Sequence, residues 1–508
     1  MPCPDSQKRI EVLYTMKQPS LKKNYLYRVF YEILILITPF ITTPYISRIL
    51  GADGIGDYSF THSVISYFML FGALGTASYG TKVIAQARND NKRTSQLFWE
   101  IELITVATTG ICMLIWSGFI LFGGKYSTFY LALMPFLFST MFDISWYFTG
   151  LELIRNIVIR NSVVRIIGIV LIFAFIKEKD DLLLYCLINS GTALLGNLSM
   201  WLYLPKMLVR VDPRKFVFKS HFHETLVYFI PTIATSVYMV LDKTLIGAIT
   251  GDNYQNGYYE QASKVIKIVK SIAFVAVNSI MTARMSYLFS EKKFAEIREK
   301  IEKSMDFILL LCVGAVFGLL GISQKFVPVF FGPGYEPVVG LTNLMSPLII
   351  IIGISNCLGA QYYTPSGKRA QSSKYIISGA IVNLILNLCL IPVLSAKGAI
   401  IASLIAETVI TGLYLHNCDR YITVDEIWKK IWKRLIAGIL MFCAVFALGK
   451  MNWNSIAVLI IQAICGGAVY CTILFAMKDR MLLEFFKTVF SKFKNIEEVR
   501  ENGESTTN

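Results

Sequence analysis

Lys264, Lys267 and Lys270 repeat every third residue in ASKVIKIVKSIAF, and on a helix that spacing draws one inclined stripe. Two further cations, Arg48 in ITTPYISRILGADGIG and Lys243 in MVLDKTLIGAITG, stand in equally apolar company. Cations so placed suit charge-assisted contacts to a phosphate-bearing anionic headgroup entering a water-filled cavity. The competing expectation is an interfacial ramp, on which lysine stems lie along lipid while their heads reach water. Four carboxylates raise a parallel question: Glu32, Asp143, Asp242 and Glu407. Asp143, in MFDISWYFTGLELIRN, is either a cap or an ion-pair partner, or else a cavity or cation-coupling group. Asp242 and Glu407 are read with it as cavity or coupling carboxylates. Asp242 adjoins Lys243, and helix neighbours point about 100° apart, so these two do not simply pair.

Templates of soluble catalysis are missing. PSGKRAQ lacks the leading glycine and the Ser or Thr of a phosphate-binding loop, and there is no His-Glu-x-x-His and no Gly-x-Ser-x-Gly. No enzyme, cofactor or metal site is expected. His221 and His223 are expected to be solvated in a polar loop. The ten cysteines show no ligand spacing and read as small core residues. Aromatics such as Tyr58, Tyr67, Phe68, Trp146, Tyr147 and Phe148 offer faces for sugar rings, although anchoring and packing are the commoner uses. Asn383 and Asn387, at i and i+4, predict hydrogen bonding between helices.

The elements that must hold these residues are plain from composition. Of 508 residues, 55% are hydrophobic and 16% charged, well below the roughly 25% charged of soluble domains; mean hydropathy is +0.55. Apolar runs recur at 29–47, 58–80, 101–122, 128–150, 161–176, 182–204 and 225–249. They continue at 265–283, 305–322, 339–363, 375–394, 398–417, 435–449 and 455–477. Most are long enough to cross a hydrocarbon core of about 30 Å. The prediction is an all-α integral membrane protein of about 14 transmembrane helices. The net charge of +15 comes from 49 Lys and Arg against 34 Asp and Glu, and its distribution argues against nucleic acid. With both termini cytoplasmic, only Lys125, Lys177, Lys179, Lys325, Lys397 and Lys450 fall in the opposite loops, which is the positive-inside pattern. The start is polar and basic, so no cleavable leader is expected, and Met16 is an alternative first residue.

An internal repeat sets the organisation. The first span carries ITPFITTPYISRILGADGIGDYS and the seventh FIPTIATSVYMVLDKTLIGAITGDNYQNGYYE. Each passes from proline through a basic residue to Gly-Ala and then Gly-x-Tyr. The fourth and tenth spans likewise share LMP or LMSP before YFTG or YYTP. Spans six apart thus correspond, predicting two parallel six-helix bundles, 24–210 and 224–420, joined by a cytoplasmic linker at 211–223. Two additional helices follow at 421–477, with a cytoplasmic segment at 1–23 and a cytoplasmic tail at 478–508. Pro39, Pro44 and Pro231 are hinge candidates, since each removes a backbone donor.

FDISWYFTGLELIRNIVIRNSVVRI, MVLDKTLIGAITG and GAQYYTPSGKRAQSSKYIISGAIVNLILNLCLIPVLSAKGAIIASLIAE, in this order, resemble the polysaccharide-transporter branch of the multidrug/oligosaccharidyl-lipid/polysaccharide exporter superfamily. The resemblance extends from about residue 22 to 477. It implies fourteen helices in two bundles around a central cavity, worked by alternating access in the bacterial cytoplasmic membrane. The implied cargo is an undecaprenyl-pyrophosphate-linked oligosaccharide, moved from the cytoplasmic to the outer leaflet for O-antigen or capsule synthesis. Arg48, Lys243, Lys264, Lys267 and Lys270 would then meet pyrophosphate or sugar acids. Partners would be the lipid-linked oligosaccharide, membrane lipids, and a polysaccharide polymerase or chain-length protein. Alternatives on the same fold are a drug/cation antiporter or a lipid II flippase; a membrane polysaccharide polymerase fits less well, because no large external loop is present.

Overall fold

The computed structural model describes residues 21–451, 455–484 and 487. Most of the expected terminal segments, with Cys3 and Met16, lies outside them. The described residues form helices and turns, without strands, and divide into two compact units, 1–247 and 248–508.

The first unit begins with α1 (Leu21–Ala73), which runs through both Pro39 and Pro44 but leaves helical geometry at Gly51, with φ 69° and ψ 174°. That conformation suits a residue without Cβ. Around the prolines the Thr38 and Thr42 hydroxyls donate to carbonyls one turn back, Leu34 and Thr38, which keeps the apolar stretch satisfied. Then come α2 (Thr76–Ala87) and α3 (Asn91–Phe122), the latter capped by Asp90, whose Oδ1 accepts from the Lys92 and Arg93 amides. The fourth apolar run is not one helix. It is broken into α4 (Ser127–Leu133), α5 (Pro135–Met141) and α6 (Ser145–Gly150). Helices α7 (Ile154–Phe175), α8 (Leu182–Trp201) and α9 (Phe218–Thr250) follow. The 211–223 linker and α9 as far as Gly247 group with this unit. Pro231 falls within α9, but its side chain is outside the described set.

Packing in this unit is close where small residues allow it. A methyl group on Gly80 would collide with the Trp146 indole, and one on Gly150 would lie 2.8 Å from Ile84 Cβ. These contacts seat α6 on α2, in a core with Phe98, Tyr147 and Phe148.

The second unit contains α10 (Asn253–Ser290), α11 (Phe294–Phe331), α12 (Glu336–Met345) and α13 (Leu348–Leu358). A π-helical turn, Gly359–Tyr363, extends α13. Next come α14 (Arg369–Leu394), α15 (Ala396–His416), α16 (Val424–Gly449) and α17 (Ser455–Ala476). Helices α14 and α15 form a tight hairpin, where Asn387 donates to Asn383 Oδ1 (3.0 Å) and Asn383 donates to Ser403 Oγ (3.3 Å). The two additional helices, α16 and α17, pack on α11. Buried Arg434 there meets Asp306 Oδ1 at 2.6 Å and Asp479 Oδ2 at 3.2 Å.

Among the described residues, ten helices are long and apolar enough to cross a membrane, or eleven if Glu336–Met345 and Leu348–Tyr363, bent by 41°, form one span. Two features separate this from fourteen. The first two expected spans lie in one continuous stretch, Val29–Ala87, and α9 and α10, which carry Lys243 and the lysine stripe, are not among the ten.

Candidate functional site: a polar cavity and two charged clusters

Within the first unit, a cavity of about 460 Å³ is walled by α1, α2, α3, α5, α6, α8 and α9. Its lining is polar for a membrane core: His62, Ser66, Tyr67, Ser139, Thr140, Asp143 and Asn197 all face it. The break in the fourth run explains how Asp143 gets there. With the helix interrupted after α5, Asp143 Oδ1 accepts the Ser145 amide at 3.0 Å in the turn just ahead of α6. Asp143 thus closes a local turn and lines the cavity, while the cap position of α6 is Ile144.

A polar chain backs this wall. Arg160 Nη1 donates to Asn197 Oδ1 at 2.6 Å, and Asn197 Nδ2 donates to the Ser139 carbonyl (2.8 Å) and hydroxyl (2.9 Å). Asp143 is the acid that acts electrostatically on Arg160, and also on Glu102 of α3. Glu102 is 1% exposed, and neither carboxyl oxygen has a hydrogen-bond partner among the described residues. A carboxyl left so is costly unless something beyond the protein's own groups meets it. Sequence reading passed over both Glu102 and Arg160. The signal was present in FWEIELITV, where two acids open an apolar run, and in IVIRNSVVRI.

Trp146 does not offer its face to a sugar. The ring is stacked on Phe98 (centroids 5.6 Å apart) and covered by Gly80; its edge borders the cavity, where Nε1 has no partner among the described residues. Tyr147 and Phe148 are buried in the same core. Tyr67 does border the cavity, and its hydroxyl accepts from Thr244 at 3.2 Å.

The five cations singled out by sequence are distributed over both units. Arg48 is exposed on α1, donating to the Pro44 carbonyl at 3.1 Å, and Lys243 is half-buried on α9 beside buried Asp242. The stripe Lys264, Lys267 and Lys270 lies on α10 in the second unit. There Lys264 stands 3.5 Å from Glu260, Lys267 is exposed, and Lys270 interacts electrostatically with Glu407 of α15. Glu407 is thus brought to the stripe, a pairing the spacing alone did not reveal.

His221 is the clearest departure from expectation. Only 6% exposed, it sits between Glu100 Oε2 (2.9 Å from Nε2) and the Tyr79 hydroxyl (2.7 Å from Nδ1). The linker is folded back onto α3 and α2, which buries what its polar composition suggested was solvated; His223 remains exposed.

The polysaccharide biosynthesis protein family matches residues 21–288. A putative O-antigen transporter of Escherichia coli (strain K12) is 23% identical over 407 residues, covering 78% of this chain and 96% of the relative. A putative O-antigen transporter of Shigella dysenteriae is 24% identical over 402 residues, covering 77% and 98%. Among solved structures, lipid II flippase MurJ in an inward closed conformation is similar with a TM-score of 0.70 at 14% identity, covering 90% of this chain and 99% of that one. At that identity the likeness is one of fold.

Proposed function

The chain belongs to the polysaccharide biosynthesis protein family, and from that premise we propose that it flips undecaprenyl-pyrophosphate-linked oligosaccharide repeat units from the cytoplasmic to the outer leaflet. The observation that carries the reading is the match to O-antigen transporters over nearly their whole length. The polar cavity inside a unit made of apolar helices supports it, because sugars and pyrophosphate need hydrated surroundings while a polyprenyl tail stays in lipid. In this reading the two expected bundles alternate in access, with Pro39, Pro44 and Pro231 as hinges. Arg48, Lys243, Lys264, Lys267 and Lys270 contact the anionic parts of the cargo. Asp143, Asp242 and Glu407 set cavity polarity or coupling. The protein resides in the cytoplasmic membrane with both termini inside, and a polymerase or chain-length protein receives the cargo.

The test is leaflet-resolved quantification of polyprenyl-linked oligosaccharide after depletion of the protein in its host. Complete, chemically unchanged repeat units accumulating on the cytoplasmic leaflet are the expected result. Normal delivery to the outer leaflet, in a host without a second flippase, would overturn it and turn attention to drug or ion export. Altered glycan length without accumulation would point to a polymerase.

A further inference from the structure

The connector between α8 and α9, LYLPKMLVRVDPRKFV at 202–217, mixes apolar and basic residues along its whole length. A connector facing only water would hold fewer apolar side chains. It is tied to α3 at two places. Val209 N–H donates to Ser95 Oγ at 3.0 Å; further on, Val217 N–H donates to Glu100 Oε1 at 2.9 Å and Gln96 Nε2 to the Lys215 carbonyl at 3.1 Å. Between these ties the chain turns on Asp212, whose Oδ1 accepts the Arg214 amide at 3.0 Å. The result is an arch over a second cavity of about 590 Å³.

Trp99 and Leu103 of α3, Trp201 of α8, and Leu208 and Phe216 of the arch line that cavity, and among the described residues Arg210 is the one charged side chain on its wall. Water would find almost no polar partner inside. Arg210 is exposed, as are Arg214 and Lys215 in the same turn. Trp201 ends α8 and Trp99 stands in the first third of α3, the kind of placement interfacial aromatics take.

We propose that the arch is a phospholipid site: one acyl chain of an anionic glycerophospholipid lies under it, and the headgroup phosphate meets Arg210, supported by the charge of Arg214 and Lys215. Three features select this occupant. The hollow is apolar, its mouth is cationic, and it opens where a membrane helix ends, the setting in which basic segments attract anionic headgroups. The connector runs directly into α9, so an occupied arch holds the start of that helix against α3 and couples its position to the lipid composition of the membrane. The site does not depend on the nature of the transported cargo.

The experiment uses the full-length protein in nanodiscs, with bromine-labelled acyl chains as quenchers of tryptophan fluorescence. Trp99→Phe assigns the signal from the arch. Dibrominated phosphatidylglycerol is expected to quench the Trp99-dependent emission at about fivefold lower mole fraction than dibrominated phosphatidylcholine. Arg210→Gln, at an exposed position, is expected to abolish that preference. Equal quenching by the two lipids, or a preference unchanged in Arg210→Gln, overturns the proposal. Displacement of phosphatidylglycerol by unlabelled polyprenyl phosphate at trace mole fraction also overturns it, in favour of a site for the cargo's own lipid.

Discussion

Each unit buries ionisable side chains, and the two do so in different ways. In the second unit Arg434, 1% exposed, is bracketed by two carboxylates. Its Nη1 also donates to the Asp306 carbonyl at 2.6 Å, and Asp479 Oδ1 accepts the Leu482 amide at 3.0 Å. In the first unit Glu102 is as deeply buried, yet its carboxyl lacks a hydrogen-bond partner among the described residues, and its acidic neighbour Asp143 faces a cavity. A closed network fixes helices in place. An open one keeps free energy in reserve for whatever enters. In the proposed reading, the first of these clusters is structural and the second serves transport.

The largest effect is expected where the network is closed. Arg434→Leu leaves buried Asp479 without its cation and Asp306 with only the more distant Lys430, 3.8 Å away, which costs about 3–5 kcal/mol. The variant should unfold at a much lower temperature in detergent and accumulate poorly in the membrane. An unchanged melting temperature would remove the contrast between the two clusters.

Second in size are the open carboxyls. Asp143→Asn keeps an oxygen to accept the Ser145 amide, and Glu102→Gln keeps the side-chain volume, so stability should change by less than about 1.5 kcal/mol. Transport should fall on the order of tenfold, as expected for loss of a charge-dependent contact. Membrane abundance measured beside leaflet-resolved transport separates the two effects. Failure of either variant to accumulate would place these carboxyls with Arg434 as structural.

A smaller effect tests the cations. Lys243→Ala and Lys267→Ala should each lower transport about fivefold with expression intact, the size expected for one surface-level basic contact to an anionic lipid. Wild-type transport in both single variants would sink the cationic-cavity reading and favour lysines that merely reach for water.

The helical membrane class was open to sequence reading because it depends on run length and apolarity, which local composition records directly. The Asn383–Asn387 face was readable for the same reason, since i and i+4 positions share a helix side. What escaped depended on contacts between segments far apart in sequence. Glu102 lies three residues before Thr105 of the cavity wall, but nothing local marks its oxygens as unpartnered. His221 looked solvated because its own loop is polar, and its burial comes from Glu100 and Tyr79, 121 and 142 residues away. The break at Gly51 was hidden by more conspicuous breakers, Pro39 and Pro44, both of which stay inside the helix.

The smallest effect sharpens the comparison from the surface. Asp419, in the turn after α15, accepts from Lys368 Nζ at 2.6 Å and from the Tyr362 hydroxyl at 2.5 Å. The Lys368 hydrogen bond, then that from Tyr362, holds its carboxyl below the ordinary carboxylate value of 3.8. A carboxyl depressed by folding adds stability that is complete above its unfolded value and is lost as pH falls through the folded one. The side chain is 58% exposed, so solvent screening limits the contribution to about 0–1 kcal/mol. Asp419→Asn should therefore lower the melting temperature slightly at pH 7, and the gap from wild type should close as the pH is taken below the usual carboxylate range. A gap that stays constant with pH would mean that the turn is held by the Tyr362 hydroxyl and packing, with no contribution from the charge.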